Sequence, residues 1–168
     1  MEPSLAKKIV TSLKEAGISF ITYVPETRLS QILSFIQEDN LFQLVPVASE
    51  AEGVSIAAGA SMGGRQSAAY MEGPGVWVSS YNLLTVGIRY GVPILLIVGY
   101  VGSFEDKRNT FLYVEYGIKM KAQLESLGMQ YEILRNGDNL DIKIKDAVRM
   151  MNALKQPVAL LFTGEFTV

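Results

Sequence analysis

Hydrophobic positions along the chain follow two periodicities, one typical of amphipathic helices and one typical of buried strands. Spacings of three and four residues predict helices within residues 5–13, 27–36, 50–62, 83–88, 116–127 and 142–154, the second capped by Thr27. Short apolar runs between these helices predict six strands, at residues 18–24, 41–47, 67–71, 93–98, 129–134 and 157–162. The two patterns alternate along nearly the whole chain.

This alternation predicts the fold class. Strands that are separated by helices pair in parallel, because the helix returns the chain to the starting edge of the sheet. We therefore expect a single three-layer α/β domain over residues 1–168, with a six-stranded, mostly parallel sheet and helices on both faces. Ligands of such folds bind at the carboxyl ends of the strands, so the loops that follow strands are the candidate functional segments.

The segment from residue 47 to residue 64, VASEAEGVSIAAGASMGG, joins a strand to a helix. Ser49 and Glu52 have the spacing of a capping box, in which the serine hydroxyl accepts a backbone N–H and the glutamate reaches back. Glu50, at the first helical position, has no such structural task. It is either a first-turn acid that complements the helix dipole or a carboxylate available to a ligand at the strand end.

Small residues dominate the helix that follows Glu50. They leave its surface flat enough for another backbone or a planar ligand to approach closely, and none of them shields the carboxylate. These residues are Gly53, Ala57, Ala58, Gly59, Ala60 and Gly63.

The composition removes several kinds of chemistry. The chain has no histidine and no cysteine, which excludes imidazole metal ligands, serine–histidine nucleophiles, thiolates and disulfides. Acid–base chemistry must therefore come from carboxylates, lysine, tyrosine or a cofactor. A net charge of −2 provides no basic surface for nucleic acid, and no apolar run approaches the roughly 18 residues of a membrane span. The N-terminal residues lack a secretory signal pattern, so we expect a cytoplasmic protein.

Two further loops follow predicted strands. The segment EGPG at residues 72–75 is expected to form a turn, whether or not it also contacts a ligand. The loop after residue 98 mixes charged and aromatic side chains over about a dozen irregular residues, a length that favours function over simple connection. It contains Lys107 and Arg108, which are either solvated loop charges or contacts for an anionic substrate.

The run EAEGVSIAAGA that begins at Glu50 resembles the corresponding helix of the pyrimidine-binding (PYR) domain of thiamine diphosphate enzymes. In that family an acid precedes the glycine of a small-residue A-x-G run by the same spacing that separates Glu50 from Gly59. The similarity extends over nearly the whole chain. More narrowly, the chain resembles the alpha subunit of sulfopyruvate decarboxylase and the matching half of phosphonopyruvate decarboxylase.

The resemblance implies roles for the candidate residues. Glu50 becomes the acid that hydrogen-bonds N1′ of the cofactor's pyrimidine and favours its reactive imino tautomer. Trp77 and Val78 stand where the relatives have a Gly-Asn pair, which is a departure in the shape of this loop. The remaining implied cofactor contacts lie at two other strand ends: Pro25, Glu72, Gly73, Pro74 and Gly75.

Thiamine diphosphate is the implied cofactor, yet the family's metal and diphosphate signature, Gly-Asp-Gly followed by a later Asn, is absent from the sequence. The nearest run, Gly-Asp-Asn at residues 137–139, lacks the second glycine and comes too late in the chain. The resemblance therefore implies a beta subunit that holds the diphosphate and Mg²⁺, and we expect no metal ligands on this chain. The flat helix surface beside Glu50 also leads us to expect self-association.

The implied activity is decarboxylation of a small 2-oxoacid, with sulfopyruvate or a similar anionic 3-substituted pyruvate as substrate. Arg108 is the expected contact for the second anionic group, and the chain alone would be inactive. Two alternatives are open at this point. The same half-site could serve a thiamine diphosphate carboligase, or the chain could be a non-catalytic PYR-like scaffold if Trp77 blocked the site.

Overall fold

All six predicted strands are present in the computed structural model, which describes residues 1–166. The strands are β1 (Phe20–Tyr23), β2 (Gln43–Pro46), β3 (Ser67–Glu72), β4 (Leu95–Gly99), β5 (Gln130–Leu134) and β6 (Val158–Phe162). They form one sheet in the order β2-β1-β3-β4-β6-β5, and every neighbouring pair is parallel. The predicted sheet is confirmed, and its parallel pairing is complete rather than partial over the described strands.

Helices connect the strands. They are α1 (Pro3–Glu15), α2 (Ser30–Glu38), α3 (Glu50–Met62), α4 (Gly73–Val78), α5 (Ser80–Asn82), α6 (Phe111–Ser126) and α7 (Leu140–Leu154). A π-helical segment, Leu83–Ile88, continues α5, and a 3₁₀ turn, Gly164–Phe166, follows β6. Within residues 1–166, none of the helices combines the length and the apolar character that crossing a membrane requires.

Two hydrophobic cores lie on opposite faces of the sheet, because successive strand residues point to alternate sides. In β3, Ala68 and Tyr70 belong to the core under α1, α2 and α7, whereas Ala69 and Met71 belong to the core under α3, α4 and α6. The central strand β4 is buried over its whole length, as its apolar sequence indicates. The predicted helices on both faces are therefore confirmed.

The predicted cap of α2 by Thr27 is wrong. The helix begins at Ser30 and has no side-chain cap at Leu29, the residue before it. Instead the carboxylate of Glu26 accepts hydrogen bonds from the backbone N–H groups of Arg28 and Leu29. A carboxylate in front of a helix start satisfies N–H groups that have no partner inside the helix, as a threonine hydroxyl would.

The segment after β3 is a helix and not the predicted turn. α4 starts directly at Gly73, with Pro74 in its first turn, where the missing N–H of proline has no intrahelical partner to lose. The glycine and proline residues therefore indicated correctly that the chain changes direction after β3, but they did not indicate that a helix makes this change. Similarly, α6 begins at Phe111, earlier than the predicted start at residue 116.

The small residues of α3 bring this helix close to the sheet. Thr22 Oγ1 donates a hydrogen bond to the carbonyl of Gly53 (3.0 Å), and Ser67 Oγ donates one to the carbonyl of Ala57 (2.8 Å). The predicted close approach of another backbone is thus made by the chain's own strands β1 and β3. Gly59, toward the other end of the helix, remains exposed.

The parallel sheet places the ends of β1, β2, β3 and β4 on one edge. From this edge β1 continues into α2 on one face, while the adjacent β3 continues into α4 on the other face. The chain leaves the two strands in opposite directions, which opens a crevice of the kind that binds ligands in parallel sheets. Arg28 and Glu72 face each other across this crevice.

Candidate active site

Glu50 and Gly75 are in direct contact at the carboxyl edge of the sheet. Glu50 is the first residue of α3, and Gly75 lies in the first turn of α4. A methyl group at Gly75 would lie 2.9 Å from Glu50 Cδ and 3.0 Å from its Oε1, so only glycine fits there without moving the acid. The half-buried carboxylate makes no hydrogen bond or ion pair with any residue from 1 to 166. Its oxygens are therefore available to a ligand.

Two anchors fix the start of α3 and hence the position of Glu50. Ser49 Oγ accepts a hydrogen bond from the Glu52 N–H (3.3 Å), and the Glu52 carboxylate accepts one from the Ala48 N–H (2.8 Å). Glu52 has the predicted capping role, although the N–H it accepts belongs to Ala48 and not to Ser49. A methyl group at Gly53 would lie 3.2 Å from Thr22 Oγ1, so the helix start rests directly on β1.

The two glycines at the start of α4 have different surroundings. A methyl group at Gly73 would lie 3.3 Å from the carbonyl oxygen of Gly99, so Gly73 allows α4 to pack on the end of β4. Gly75 is also buried, but it faces Glu50. Pro74 between them is partly exposed. Of the predicted glycines, Gly75 is the one beside the site acid.

A cluster of charged side chains fills the crevice between β1 and β3. Arg28, whose side chain is 4% exposed, donates a hydrogen bond from Nη1 to Asp106 Oδ1 (2.6 Å). Its Nε lies 3.7 Å from Glu72 Oε1, and its guanidinium lies 5.2 Å from the centre of the Tyr113 ring. A buried guanidinium needs such partners, because an unpaired charge is costly to remove from water.

Glu26 belongs to the same cluster and comes from the end of β1. Besides the two N–H groups at the start of α2, its carboxylate accepts a hydrogen bond from the hydroxyl of Tyr70. Burial, together with the charge of Glu26, raises the pKa of Tyr70 far above its ordinary value, so this hydroxyl remains a donor. Pro25, the neighbouring predicted contact, is exposed at the same edge.

Among the described residues, Glu72 has fewer hydrogen-bond and ion-pair partners than Glu26 and Asp106, the other carboxylates of the cluster. Within the described part of the chain it accepts no hydrogen bond and has only its ion pair with Arg28. Burial raises the pKa of the Glu72 carboxyl, and the charges of Glu26 and Asp106 raise it further, whereas the positive charges of Arg28 and Arg108 lower it in part. The surroundings of Glu72 therefore favour its protonated form, relative to a glutamate in water.

Arg108 lies in the loop between β4 and α6 with its side chain exposed. Its effect on the pKa of Glu72 places its charge within electrostatic range of the crevice. Trp77 points elsewhere, because its ring packs toward Tyr116 of α6 with 6.5 Å between the ring centres. A separation of two positions on a helix is a rotation of roughly 200°, so Trp77 and Gly75 lie on opposite sides of α4.

Sequence reasoning missed Arg28, Asp106 and Tyr70. Each is a residue whose role depends on partners distant in the chain, and nothing in the local pattern separates Arg28 from a surface arginine. The sequence predicts a functional loop after β4, but it selects Arg108 and not Asp106 from that loop. Within residues 1–166, no group of three or more acidic, histidine or cysteine side chains is arranged to hold a metal ion.

The fold is that of a thiamine-diphosphate-binding domain. The family described as "Thiamine pyrophosphate enzyme, N-terminal TPP binding domain" matches residues 3–116, and the chain belongs to this family. A structural neighbour agrees: 2-oxoglutarate:ferredoxin oxidoreductase from Magnetococcus marinus superposes with a TM-score of 0.75 over 97% of this chain and 29% of its own. At 16% identity that neighbour shows the fold alone.

Two relatives are more similar in sequence. Sulfopyruvate decarboxylase subunit alpha of Methanococcus maripaludis is 28% identical over 156 residues, which cover 93% of this chain and 92% of the relative. The protein of the same name from Methanocaldococcus jannaschii is 30% identical over 166 residues, which cover 96% and 94%. The resemblance predicted from the helix at Glu50 is thereby confirmed.

Proposed function

We propose that this chain is the pyrimidine-binding alpha subunit of a heteromeric, thiamine-diphosphate-dependent 2-oxoacid decarboxylase. The observation that carries the proposal is the unengaged carboxylate of Glu50, held against Gly75 at the carboxyl edge of the sheet. The family and the two decarboxylase alpha subunits support the same activity. From the names of these relatives we take sulfopyruvate, or a similar anionic 3-substituted pyruvate, as the substrate.

The residues at the edge fit the pyrimidine half of the cofactor. When bound, thiamine diphosphate supplies a reactive thiazolium carbon and the electron sink for loss of CO₂. Glu50 would hold a proton at ring nitrogen N1′ of the pyrimidine, because its carboxylate has no competing donor in the described structure. Gly75 makes room for the Glu50 side chain itself, while Gly73 and Pro74 would form the adjoining wall.

Two further residues would border the pyrimidine from neighbouring strand ends. Pro25 follows β1 and Glu72 ends β3, and these strands are adjacent in the sheet. Burial raises the pKa of Glu72, which shifts its carboxyl toward the form that could donate a hydrogen bond to the ring or to the substrate. Both assignments rest on position at the edge and on the family resemblance.

Residues 1–166 contain no group of three or more acidic side chains arranged to hold a metal ion. A diphosphate is held by a hard metal ion with oxygen ligands, and we propose that a beta subunit provides them with Mg²⁺. Apolar side chains on α3, α4, α5 and the π-helical segment form a surface for that subunit or for a second copy of this chain. They are Met62, Val78, Tyr81 and Leu84.

The orientation of Trp77 supports a catalytic role over a scaffold role. A blocked pyrimidine site would require the indole to lie over Glu50 and Gly75, whereas it packs toward Tyr116. The departure from the Gly-Asn pair of the relatives therefore changes the contact between α4 and α6 and leaves the face toward Glu50 free.

The experiment is reconstitution with a second subunit that carries the Gly-Asp-Gly signature, in the presence of thiamine diphosphate and Mg²⁺. We expect CO₂ and one equivalent of aldehyde from sulfopyruvate, with slower release from pyruvate. A carbon–carbon coupled product in place of the aldehyde would move the assignment to a carboligase. An assembled complex that binds the cofactor but turns over no 2-oxoacid would leave only the scaffold role.

A further inference from the structure

The buried carboxylate of Asp106 holds the loop between β4 and α6 together. The side chain of Asp106 is 1% exposed. Its Oδ2 accepts a hydrogen bond from the N–H of Gly102 (2.9 Å), and its Oδ1 accepts one from the N–H of Arg108 (3.0 Å). Gly164 passes so close to Asp106 that a methyl group there would collide with the Asp106 backbone. The position of Asp106 is therefore fixed from several directions.

Arg28 holds the same part of the loop from the opposite side. Its Nη1 donates to Asp106 Oδ1 (2.6 Å), and its Nη2 donates to the carbonyl oxygen of Arg108 (3.4 Å). The backbone of Arg108 is thus held at its N–H by Asp106 and at its carbonyl by Arg28. A flexible surface loop would leave both groups to water.

This restraint distinguishes Arg108 from Lys107, the adjacent cation on the loop. Lys107 and Arg108 are both exposed, but the backbone of Lys107 makes no comparable contact among the described residues. The guanidinium of Arg108 makes no hydrogen bond within residues 1–166, and its charge acts on Glu72 in the crevice. Arg28 itself is unavailable to a ligand because its guanidinium is buried and engaged.

We propose that Arg28 and Asp106 are positioning residues that fix the backbone of Arg108, so that its guanidinium receives the second anionic group of the substrate. This rests on the proposed function. A planar guanidinium forms paired hydrogen bonds with sulfonate, phosphonate or carboxylate oxygens, and a fixed backbone limits the positions that the guanidinium can reach. Arg28 and Asp106 therefore act on substrate selectivity through Arg108 and do not touch the substrate.

The test combines a measurement on the loop with a measurement on the reconstituted enzyme. Hydrogen exchange of the Arg108 amide should accelerate roughly tenfold or more in Arg28→Lys and in Asp106→Asn, because each loosens the clamp while keeping side-chain size. Glu105→Gln is the matched control, since it removes an exposed pair with Arg135 (3.1 Å) on the same loop. Exchange at Arg108 should not change in this control.

In the assembled enzyme, Arg28→Lys should raise KM for sulfopyruvate roughly tenfold and KM for pyruvate less than twofold, as Arg108→Ala should. Adding Arg28→Lys to Arg108→Ala should produce no further selective loss, because the group that Arg28 positions is gone. Should Arg28→Lys fail to fold, Asp106→Asn provides the same comparison.

The three ways of failing are distinguishable. Unchanged exchange at Arg108 in both variants overturns the clamp, whatever the kinetics. Accelerated exchange with an Arg108→Ala enzyme that loses nothing selective for sulfopyruvate overturns the substrate role of Arg108, and the proposal with it. An equal selective loss from Arg28→Lys with and without Arg108 shows that Arg28 acts by another route and also overturns it.

Discussion

The side chain of Glu50 lies directly against the Cα of Gly75, where a methyl group would come within 2.9 Å of Glu50 Cδ. The two residues come from different helices, each starting at the end of a different strand of the parallel sheet. This contact places a carboxylate that has no hydrogen bond or ion pair within residues 1–166 against the bare backbone of a glycine.

Replacement of the site acid should abolish most activity without affecting assembly. Glu50→Gln should lower decarboxylation by about 10²–10⁴-fold, because an amide cannot hold the proton at the pyrimidine nitrogen. Exchange of the thiazolium C2 proton in the assembled complex, followed by NMR, measures the effect directly. Glu52→Gln is the control and should change exchange little, since glutamine can also occupy the capping position. Equal effects of the two variants would remove Glu50 from its role.

Gly75→Ala should impair the site more than the fold. The added methyl group overlaps the Glu50 side chain from Cγ outward, so this half-buried side chain must move, and we expect a stability loss of about 1–3 kcal/mol, the usual range for overpacking. Activity should fall by a factor comparable to that of Glu50→Gln, because the carboxylate is displaced. In the control Gly137→Ala, where a methyl group meets nothing within 4 Å, both quantities should stay unchanged. Normal turnover in Gly75→Ala would show that the acid tolerates displacement.

The Arg28–Asp106 pair should contribute strongly to stability because both side chains are buried, at 4% and 1% exposure. Asp106→Ala removes the hydrogen-bonded partner of the buried guanidinium and leaves it only the more distant carboxylate of Glu72 as an ion-pair partner among the described residues, so it should lower the free energy of unfolding by about 3–5 kcal/mol. Asp146→Ala breaks an exposed pair with Arg149 and should cost less than about 1 kcal/mol. Urea denaturation of the two variants makes the comparison, and similar values for both would contradict the burial of the pair.

Glu72 should make stability depend on pH in a defined direction. Its pKa is raised in the folded chain, so the protonated form is favoured by folding. The stability linked to this group is fully present below its ordinary value near 4.5 and is lost as pH rises through the raised value.

Glu72→Gln should therefore be more stable than the natural chain at neutral pH, and the difference should shrink as the pH falls toward 4.5. Unfolding free energies of both proteins between these pH values provide the measurement. The exposed Glu38 is the control, and Glu38→Gln should give a difference that is nearly constant with pH. A Glu72→Gln difference that grows on acidification would reverse the assigned sign.

The isolated chain should bind thiamine diphosphate weakly and release no CO₂ from 2-oxoacids. Most of the affinity for this cofactor comes from the diphosphate and its metal ion, and the sequence lacks the Gly-Asp-Gly signature that holds them in the family. Calorimetric titration with thiamine diphosphate and Mg²⁺ decides the matter, together with light scattering to detect self-association. Binding at micromolar concentration without a partner would contradict the proposed division between subunits.

The sequence by itself determined the number of strands, their alternation with helices and the position of the site acid. These features are local: strand and helix periods are set by backbone geometry, and the capping pair at Ser49 and Glu52 fixes where α3 begins. With the helix start fixed, Glu50 had to stand at a strand end. The family resemblance was carried by the same local run.

Only the tertiary structure decided which residues meet at the edge. Arg28 and Asp106 are 78 positions apart in the chain, and no local pattern records a pairing over that separation. The same holds for Gly75, whose local sequence indicated a turn but whose need for glycine comes from Glu50 on another helix. Close packing between distant segments depends on the assembled sheet, which brings the ends of β1, β2, β3 and β4 to one edge.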